Sequence, residues 1–220
     1  MTNKWLKTIS AAVLVAGGVA GGVAGTVGAN EGTAAVSNPG DPKAGETKAN
    51  TICIACHGPM GNSVVPMWPK LAGQHPEYIY KQLTDFKAGR RENAQMSPMA
   101  APLSEQEVRD VAAYFSQQTQ SGGIADPALA ALGERIYRSG NPETGVPACN
   151  GCHGPAGLGT GLSKFPRISG QHADYVKQTL GYFKAGTRAN DPNGMMRGVA
   201  SRLSDQEIAA VATYVQGLSQ

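Results

Sequence analysis

One long pattern occurs twice along the chain. A Cys-x-x-Cys-His motif at residues 53–57 returns at 149–153, and each copy is followed by similar Pro-(Lys/Arg), Phe-Lys-Ala-Gly and Leu-Ser segments in the same order. Two copies are too few for a solenoid, so the repeat predicts two homologous domains of ordinary size. We expect a first domain over 41–118, a linker over 119–127 and a second domain over 128–220.

The N-terminus has the features of a secretory signal peptide. Lys4 and Lys7 precede an uncharged run rich in Ala, Val and Gly, which ends in small residues at Ala29. This order predicts a signal peptide over 1–29, followed by a flexible lead-in over 30–40. The alternative is a permanent membrane anchor, which would keep the protein associated with the membrane; the glycines in the run weaken it as a spanning helix.

The overall charge is small. The chain has 19 Lys plus Arg against 16 Asp plus Glu, a net charge of +3. A nucleic-acid-binding protein needs a basic surface that displaces counterions from phosphate, so no nucleic-acid partner is expected. Aromatic residues are only 6% of the chain, while Gly (29) and Pro (14) are abundant. We therefore expect something other than side chains to fill part of each core.

Each copy is predicted to be helical. The Ser-x-x-Glu sequences that begin at Ser104 and Ser204 are capping boxes, and apolar residues at helical spacing follow both. The segments 43–52 and 129–139, which lead into the cysteine motifs, are expected to be helices as well. No alternating strand pattern is present, so the predicted fold class is all-α.

The cysteine motif predicts covalently bound haem. A two-residue gap lets both thiols reach the vinyl groups of one haem, while the adjacent histidine lies under the iron. All four cysteines of the chain belong to such motifs. The expected attachment residues are Cys53 and Cys56 for one haem c group and Cys149 and Cys152 for a second. The expected axial histidines are His57 and His153.

Three other interpretations of the motif are less favourable. A structural zinc site needs further Cys or His at set spacing, and each copy offers only one spare histidine. A thioredoxin-like dithiol belongs in a βαβ unit, for which the sequence gives no sign. A structural disulfide across the two residues is the simplest alternative, and the presence of two copies in an exported tandem repeat favours haem over it.

The second axial ligand is predicted from the alignment of the two copies. Among the methionines, only Met96 and Met196 occupy matching positions, shortly before the last predicted helix. They are therefore the expected iron ligands, and the alternative is that they only pack against the haem. The repeated His75 and His172 are the rival ligands, but their position at the start of a predicted helix favours a surface or loop-anchoring role.

The residues that directly follow the axial histidines are candidates for orienting them. A metal-bound histidine usually donates its other ring N–H to a nearby acceptor. We expect a backbone carbonyl at Gly58-Pro59 or Gly154-Pro155 to accept this hydrogen bond, so Pro59 and Pro155 are tentative cofactor-site residues. The alternative is that these residues only form a tight turn.

Taken together, the repeated motifs resemble the cytochrome c4 family. The resemblance covers nearly all of 41–220. It rests on the doubled Cys-x-x-Cys-His-Gly, the Pro-(Lys/Arg)-(Leu/Ile)-x-Gly-Gln segments, the Phe-Lys-Ala-Gly helix ends and the Met-Arg-Gly-Val-Ala…Leu-Ser tail. It implies two tandem class I cytochrome c domains, each wrapped around one haem, with the propionates of the two haems facing each other. It also implies axial pairs of His57 with Met96 and of His153 with Met196.

The resemblance implies a carrier and not an enzyme. An iron with six ligands has no open site for a substrate, whereas the exchange of one electron needs little rearrangement. The expected function is one-electron transfer in the periplasm between respiratory redox proteins. The donor would be a cytochrome complex or a copper protein, and the acceptor a membrane terminal oxidase. The alternatives are a di-haem peroxidase and the haem subunit of a dehydrogenase complex.

Overall fold

The computed structural model describes residues 39–218, which lie in one compact unit. The predicted signal peptide and most of the predicted lead-in lie outside the described residues. The helices of the first repeat are α1 Pro42–Lys48, α2 Ile54–His57, α3 Pro76–Lys87, α4 Met96–Ala100 and α5 Glu105–Ser116. The helices of the second repeat are α6 Pro127–Ser139, α7 Asn150–His153, α8 Ala173–Ala185, α9 Met195–Ala200 and α10 Asp205–Gly217.

The described part of the chain is all-α, as predicted. Its only β-type pairings are two isolated bridges, Asn141 with Val146 and Thr160 with Phe165. No helix within 39–218 combines the length and the apolar character needed to cross a bilayer.

Both predicted capping boxes are confirmed. The Ser104 hydroxyl accepts a hydrogen bond from the Glu107 backbone N–H at 3.2 Å, and the Glu107 carboxylate accepts one from the Ser104 backbone N–H at 2.8 Å. Ser204 and Glu207 repeat this arrangement at the start of α10. These bonds satisfy N–H groups that have no partner inside the helix, which fixes where the last helix of each repeat begins.

In each repeat the first helix packs across the last. Helix α1 lies against α5, and α6 lies against α10. Each pair belongs to a separate core. The first core contains Ala49, Ile79, Val111, Ala112, Tyr114 and Phe115, with Cys53 packed at its edge. The second core includes Ile136, Tyr137, Leu180, Phe183, Leu203 and Val211, with Cys149 and Met196 packed at its edge.

The two repeats approach their cysteine motifs differently. In the first repeat, α1 continues through a π-helical turn, Ala49–Cys53, directly into α2. In the second, Gly140 ends α6 at a φ of 70°, and backbone hydrogen bonds between Asn141 and Val146 close a turn before α7. Both routes lead the Cys-x-x-Cys-His motif into a short helix. The chain segments that precede the two motifs therefore differ in structure, although the motifs themselves are homologous.

The segment between the repeats contacts both of them. The Asn62 side chain donates to the Thr119 carbonyl and accepts from the Ser121 N–H, at 2.9 and 2.7 Å. Farther along, the Asp126 N–H donates to the Thr213 hydroxyl at 2.6 Å. Helix α6 begins at Pro127, which is the last residue of the predicted linker. The connecting segment is therefore fastened to the first repeat at one end and to the second at the other.

Candidate haem-binding sites

The cysteines of each motif lie on one helical turn. Cys53 and Cys149 are half-buried, Cys56 and Cys152 are exposed, and no disulfide joins any of the four. Burial raises the pKa of both Cys53 and Cys149 to about 11. Within residues 39–218 no three His, Cys, Asp or Glu side chains form a cluster that could hold a metal ion unaided. The zinc interpretation would require such a cluster, whereas a haem brings its own four nitrogen ligands.

The histidines of the motifs are buried and oriented by backbone carbonyls. His57 Nδ1 lies 2.8 Å from the Pro69 carbonyl oxygen, and His153 Nδ1 lies 3.0 Å from the Pro166 carbonyl oxygen. Because a carbonyl only accepts, each Nδ1 must carry the proton, which leaves the lone pair of Nε2 available to a metal. Burial lowers the pKa of both histidines and so favours the neutral imidazole that ligates iron.

The prediction that Pro59 and Pro155 orient these histidines is wrong. The His57 and His153 Nδ1 atoms bond instead to the carbonyls of Pro69 and Pro166. Gly58 adopts a φ of 72°, and the Pro59 carbonyl accepts from Asn62 N–H at 3.0 Å. In the second repeat, the Gly154 carbonyl accepts from the Tyr137 hydroxyl at 2.6 Å. These residues form the tight turn that was the alternative. The orienting prolines come later in the chain, in the repeated Pro-(Lys/Arg) segments.

The paired methionines lie at the start of matching short helices. Met96 is the first residue of α4, and Met196 is the second residue of α9. Both are half-buried, whereas their neighbours Met99 and Met195 are 43% and 41% exposed. Met196 also packs against the second core. Each repeat therefore offers one sheltered thioether from the segment before the last helix, and an exposed methionine is a poorer candidate.

The donor atoms suit a covalently bound haem. Each repeat supplies two thiols on one helical turn, a buried neutral imidazole with Nε2 available, and a half-buried thioether. These are the groups that c-type haem needs for attachment and for axial ligation with a raised potential. The residues present therefore fit two haem c groups, one in each repeat.

The spare histidines hold the two repeats together. His75 Nε2 lies 2.7 Å from the Leu158 carbonyl, and His172 Nε2 lies 2.8 Å from the Ser63 carbonyl. Each ring thus contacts the loop that follows the cysteine motif of the opposite repeat. The predicted loop-anchoring role is confirmed, with the addition that the anchored loop belongs to the other domain.

A second symmetric set of contacts crosses the interface and was not predicted. Arg91 stacks 4.5 Å from the ring of Phe86 and donates to the Tyr175 hydroxyl at 3.3 Å. Arg188 mirrors it, stacking 4.5 Å from the Phe183 ring and donating to the Tyr78 hydroxyl at 3.0 Å. The signal was present in the sequence, because these arginines, tyrosines and phenylalanines recur at matching positions in the repeat.

These arginines change the acidity of a buried hydroxyl. Burial alone would raise the pKa of Tyr175, but Arg91 and Arg188 outweigh it and lower the pKa to about 8. The guanidinium groups of Arg91 and Arg188 therefore both act on the Tyr175 hydroxyl, one from each domain.

Comparison with known proteins supports the same assignment. The family model described as Cytochrome c matches residues 42–119 and 130–219. The chain is 69% identical over 188 residues to cytochrome c4 of Thiocapsa roseopersicina, covering 85% of this chain and 97% of that one. It is 44% identical over 168 residues to a thiosulfate dehydrogenase electron acceptor of Thiomonas intermedia, covering 74% of this chain and 76% of that one.

A solved structure shares the arrangement. The crystal structure of reduced recombinant cytochrome c4 from Pseudomonas stutzeri matches with a TM-score of 0.79 and 48% identity, over 82% of this chain and 100% of that one. The two helical repeats, their paired cysteine motifs and these similarities agree. The chain belongs to the cytochrome c4 family of di-haem electron-transfer proteins.

Proposed function

We propose that this protein carries single electrons in the periplasm between respiratory redox proteins. In this proposal, His57 with Met96 and His153 with Met196 ligate the two haem irons. The observation that carries it is the fixed orientation of both buried histidines, whose Nδ1 atoms are bonded to the Pro69 and Pro166 carbonyls. That bond leaves one ring nitrogen for the metal and holds the ring in place while the iron changes valence.

The thioethers support a carrier with a raised potential. A methionine in place of a second histidine raises the potential of a haem, which suits delivery of electrons to an oxidase. Met96 and Met196 are half-buried and occupy matching positions, while His75 and His172 are engaged with carbonyls of the opposite domain. When bound, the haem supplies the site of electron storage, and the protein supplies its ligands and shields it from water.

The partners follow from this role. We propose a membrane terminal oxidase as the acceptor and a cytochrome complex, a copper protein or a dehydrogenase as the donor. The relative from Thiomonas intermedia, described as an electron acceptor of thiosulfate dehydrogenase, supports a dehydrogenase as one such donor. The same similarity makes a haem subunit of a dehydrogenase complex the second candidate function.

Electron exchange with isolated partners distinguishes the two candidates. The reduced full-length protein is mixed in a stopped-flow instrument with a purified terminal oxidase, and the oxidised protein with thiosulfate dehydrogenase in the presence of thiosulfate. A mobile carrier exchanges electrons with both, at rates proportional to partner concentration and sensitive to salt. Exchange with the dehydrogenase alone, together with a stable complex on gel filtration, would instead favour the subunit role.

A further inference from the structure

The two domains hold one another through a reciprocal pair of glutamines. The Gln171 side chain accepts from the Lys70 backbone N–H through Oε1 and donates to the Lys70 carbonyl through Nε2, both at 2.9 Å. The Gln74 side chain makes the same pair of bonds to Arg167, at 2.9 and 2.8 Å. Each buried glutamine therefore satisfies both backbone groups of one residue in the opposite domain.

The residue held in this way follows the proline that orients the axial histidine. The Pro69 carbonyl and the Lys70 N–H belong to one peptide group. Its oxygen accepts from His57 Nδ1 at 2.8 Å, and its N–H donates to Gln171 Oε1 at 2.9 Å. An unbroken hydrogen-bond chain thus runs from the His57 ring, through one peptide group, to a side chain of the other domain.

The second domain has the same chain in the opposite direction. His153 Nδ1 donates to the Pro166 carbonyl at 3.0 Å, and the N–H of the same peptide group, on Arg167, donates to Gln74 Oε1 at 2.9 Å. The same hydrogen-bond chain therefore crosses the interface twice, once from each domain.

The glutamines are themselves held in place. Gln171 Oε1 also accepts from the His172 backbone N–H at 3.0 Å, and Gln74 Oε1 accepts from the His75 backbone N–H at 3.1 Å. The buried Lys70 side chain adds bonds from Nζ to the carbonyls of Ser121, Gly122 and Gly170. The geometry around the Pro69–Lys70 peptide group is therefore fixed from several directions.

A hydrogen bond at one end of a peptide group changes the other end. The group is planar and conjugated, and hydrogen bonds in a chain polarise one another. An acceptor on the Lys70 N–H therefore makes the Pro69 oxygen a stronger acceptor for the His57 ring. A stronger acceptor raises the basicity of a metal-bound histidine, which stabilises the oxidised iron and lowers its reduction potential.

We propose that Gln171 and Gln74 are positioning residues that set the reduction potential of the haem in the opposite domain. Gln171 acts on the haem attached at Cys53 and Cys56, and Gln74 acts on the haem attached at Cys149 and Cys152. The proposal rests on the proposed ligation of iron by His57 and His153. It gives the domain interface a redox function, because each glutamine bonds to the peptide group that orients one axial histidine.

The test uses the full-length, haem-loaded protein with Gln171→Leu or Gln74→Leu. Each haem is titrated separately by following its own methyl resonances in NMR spectra across a range of potentials. Gln171→Leu should raise the reduction potential of the haem at Cys53. The expected rise is at most about 59 mV, which corresponds to a tenfold change in the one-electron reduction equilibrium. Gln74→Leu should do the same to the haem at Cys149, and each variant should change the haem of its own domain less.

The matched control is Asn190→Ala, which loosens the interface elsewhere. It removes bonds from Asn190 Nδ2 to Gln82 and Asp85 across the interface, at 3.1 and 2.7 Å, and touches neither orienting peptide group. Asn190→Ala should not reproduce the one-sided shifts. No shift in the leucine variants, equal shifts of both haems, or a larger shift in the variant's own domain would each overturn the proposal.

A second variant covers the possibility that Gln171→Leu fails to assemble. Gln171→Glu retains an acceptor for the Lys70 N–H, so the potential of the haem at Cys53 should stay unchanged or fall, and a rise would overturn the proposal. The resonance of the His57 Nδ1 proton in the reduced protein gives an independent readout of its hydrogen bond. The absorption spectrum of the unmodified protein tests the proposed axial ligands of the two irons. A wrong ligand assignment is therefore distinguishable from a wrong assignment of the glutamines.

Discussion

Gly45 lies directly against the backbone of Asp110 where α1 crosses α5. A Cβ atom on Gly45 would lie 2.0 Å from the Asp110 carbonyl oxygen and 2.9 Å from the Tyr114 Cβ. The second domain repeats the contact, because a Cβ on Gly133 would lie 2.2 Å from the Ala210 carbonyl oxygen. The close approach of the first and last helices in each domain therefore requires glycine at the crossing.

An alanine at either crossing should destabilise the protein. Gly133→Ala pushes α6 away from α10, and overpacking of this kind costs about 1–3 kcal/mol. Gly45→Ala should have the same effect on the first domain. Thermal unfolding of the haem-loaded protein, followed by circular dichroism, measures the loss.

Gly181→Ala is the matched control for the glycine variants. Gly181 lies inside α8, a Cβ added there would meet no side chain or other segment within 4 Å, and Thr84 occupies the matching place in the first repeat. The substitution should stabilise by about 0.4–1 kcal/mol, because it reduces the freedom of the unfolded chain. Equal effects at Gly133 and Gly181 would show that the helix crossing does not require glycine.

Replacing one paired methionine should change one haem only. Met96→Leu removes the proposed thioether ligand of the first iron, so the sulfur-to-iron charge-transfer band should lose one haem's contribution and a high-spin signal should appear. Met196→Leu should do the same at the second iron. The measurement is the optical and electron paramagnetic resonance spectrum of the oxidised protein.

Met99→Leu serves as the control because Met99 is exposed and lies on the same short helix as Met96. Its spectrum should match that of the unmodified protein. A loss of the band in Met99→Leu, with Met96→Leu unaffected, would mean that the alignment of the repeats selects the wrong sulfur.

Removing a spare histidine should weaken the interface and leave the iron sites intact. His75→Ala deletes the contact between His75 Nε2 and the Leu158 carbonyl, which contributes about 0.5–1.5 kcal/mol if it resembles an ordinary hydrogen bond. Amide hydrogen exchange in the loop that contains Leu158 should become faster, while the haem spectra stay unchanged. Any loss of low-spin signal would instead indicate that His75 ligates iron.

The contact between Lys48 and Glu107 predicts a specific dependence of stability on pH. Lys48 Nζ lies 2.5 Å from Glu107 Oε1, and Lys48, followed by Ser104, lowers the pKa of Glu107 from 4.5 to about 2. A carboxyl with a lowered pKa stabilises the folded state above its unfolded pKa, and that contribution is lost as the pH falls to the folded value. Lys48→Met should therefore unfold at a lower temperature than the unmodified protein at pH 7.

The difference between Lys48→Met and the unmodified protein should shrink between about pH 4.5 and about pH 2, where Glu107 takes up its proton. Lys43→Met removes an exposed charge from the same helix and serves as the control. The thermal unfolding midpoints of the two variants and the unmodified protein, measured across this pH range, test the prediction. The same pH profile for both variants would contradict a specific role for Lys48.

Sequence patterns predict the features that depend on neighbouring residues. The capping boxes at Ser104 and Ser204, the all-α fold class and the cysteine motifs are local signals, and the structure or the comparisons confirm them. The predicted loop-anchoring role of His75 and His172 is also correct. This role can be inferred because the sequence shows where each histidine lies in the repeat and how far it is from the cysteine motif.

Features that depend on the fold are harder to predict. The carbonyls that orient His57 and His153 come from Pro69 and Pro166, twelve and thirteen residues farther along, and sequence proximity favours the wrong prolines. The repeated Pro-(Lys/Arg) segment is visible as part of the pattern. The histidine that accompanies each of these proline carbonyls cannot be predicted from the sequence, because no local pattern indicates that the loop folds back onto the histidine ring.

The pairing of residues across the interface is also not specified by the sequence pattern. Gln74 and Gln171 belong to the repeated Gly-Gln-His segments, but their partners lie in the opposite domain. The shared Gly-Glu step at Gly45 and Gly133 is a sequence signal for the two helix crossings. Repeated residues without a local function are therefore good candidates for contacts between the two copies.

The most direct test is the number and ligation of haems in the purified full-length protein. Mass spectrometry of the denatured chain counts covalently attached haem, and the spectrum of the oxidised native protein reports the axial ligands. We predict one haem on each cysteine pair, with both irons low-spin and both contributing a sulfur-to-iron charge-transfer band. A chain that carries no covalent haem, or whose irons lack sulfur ligation, would contradict it.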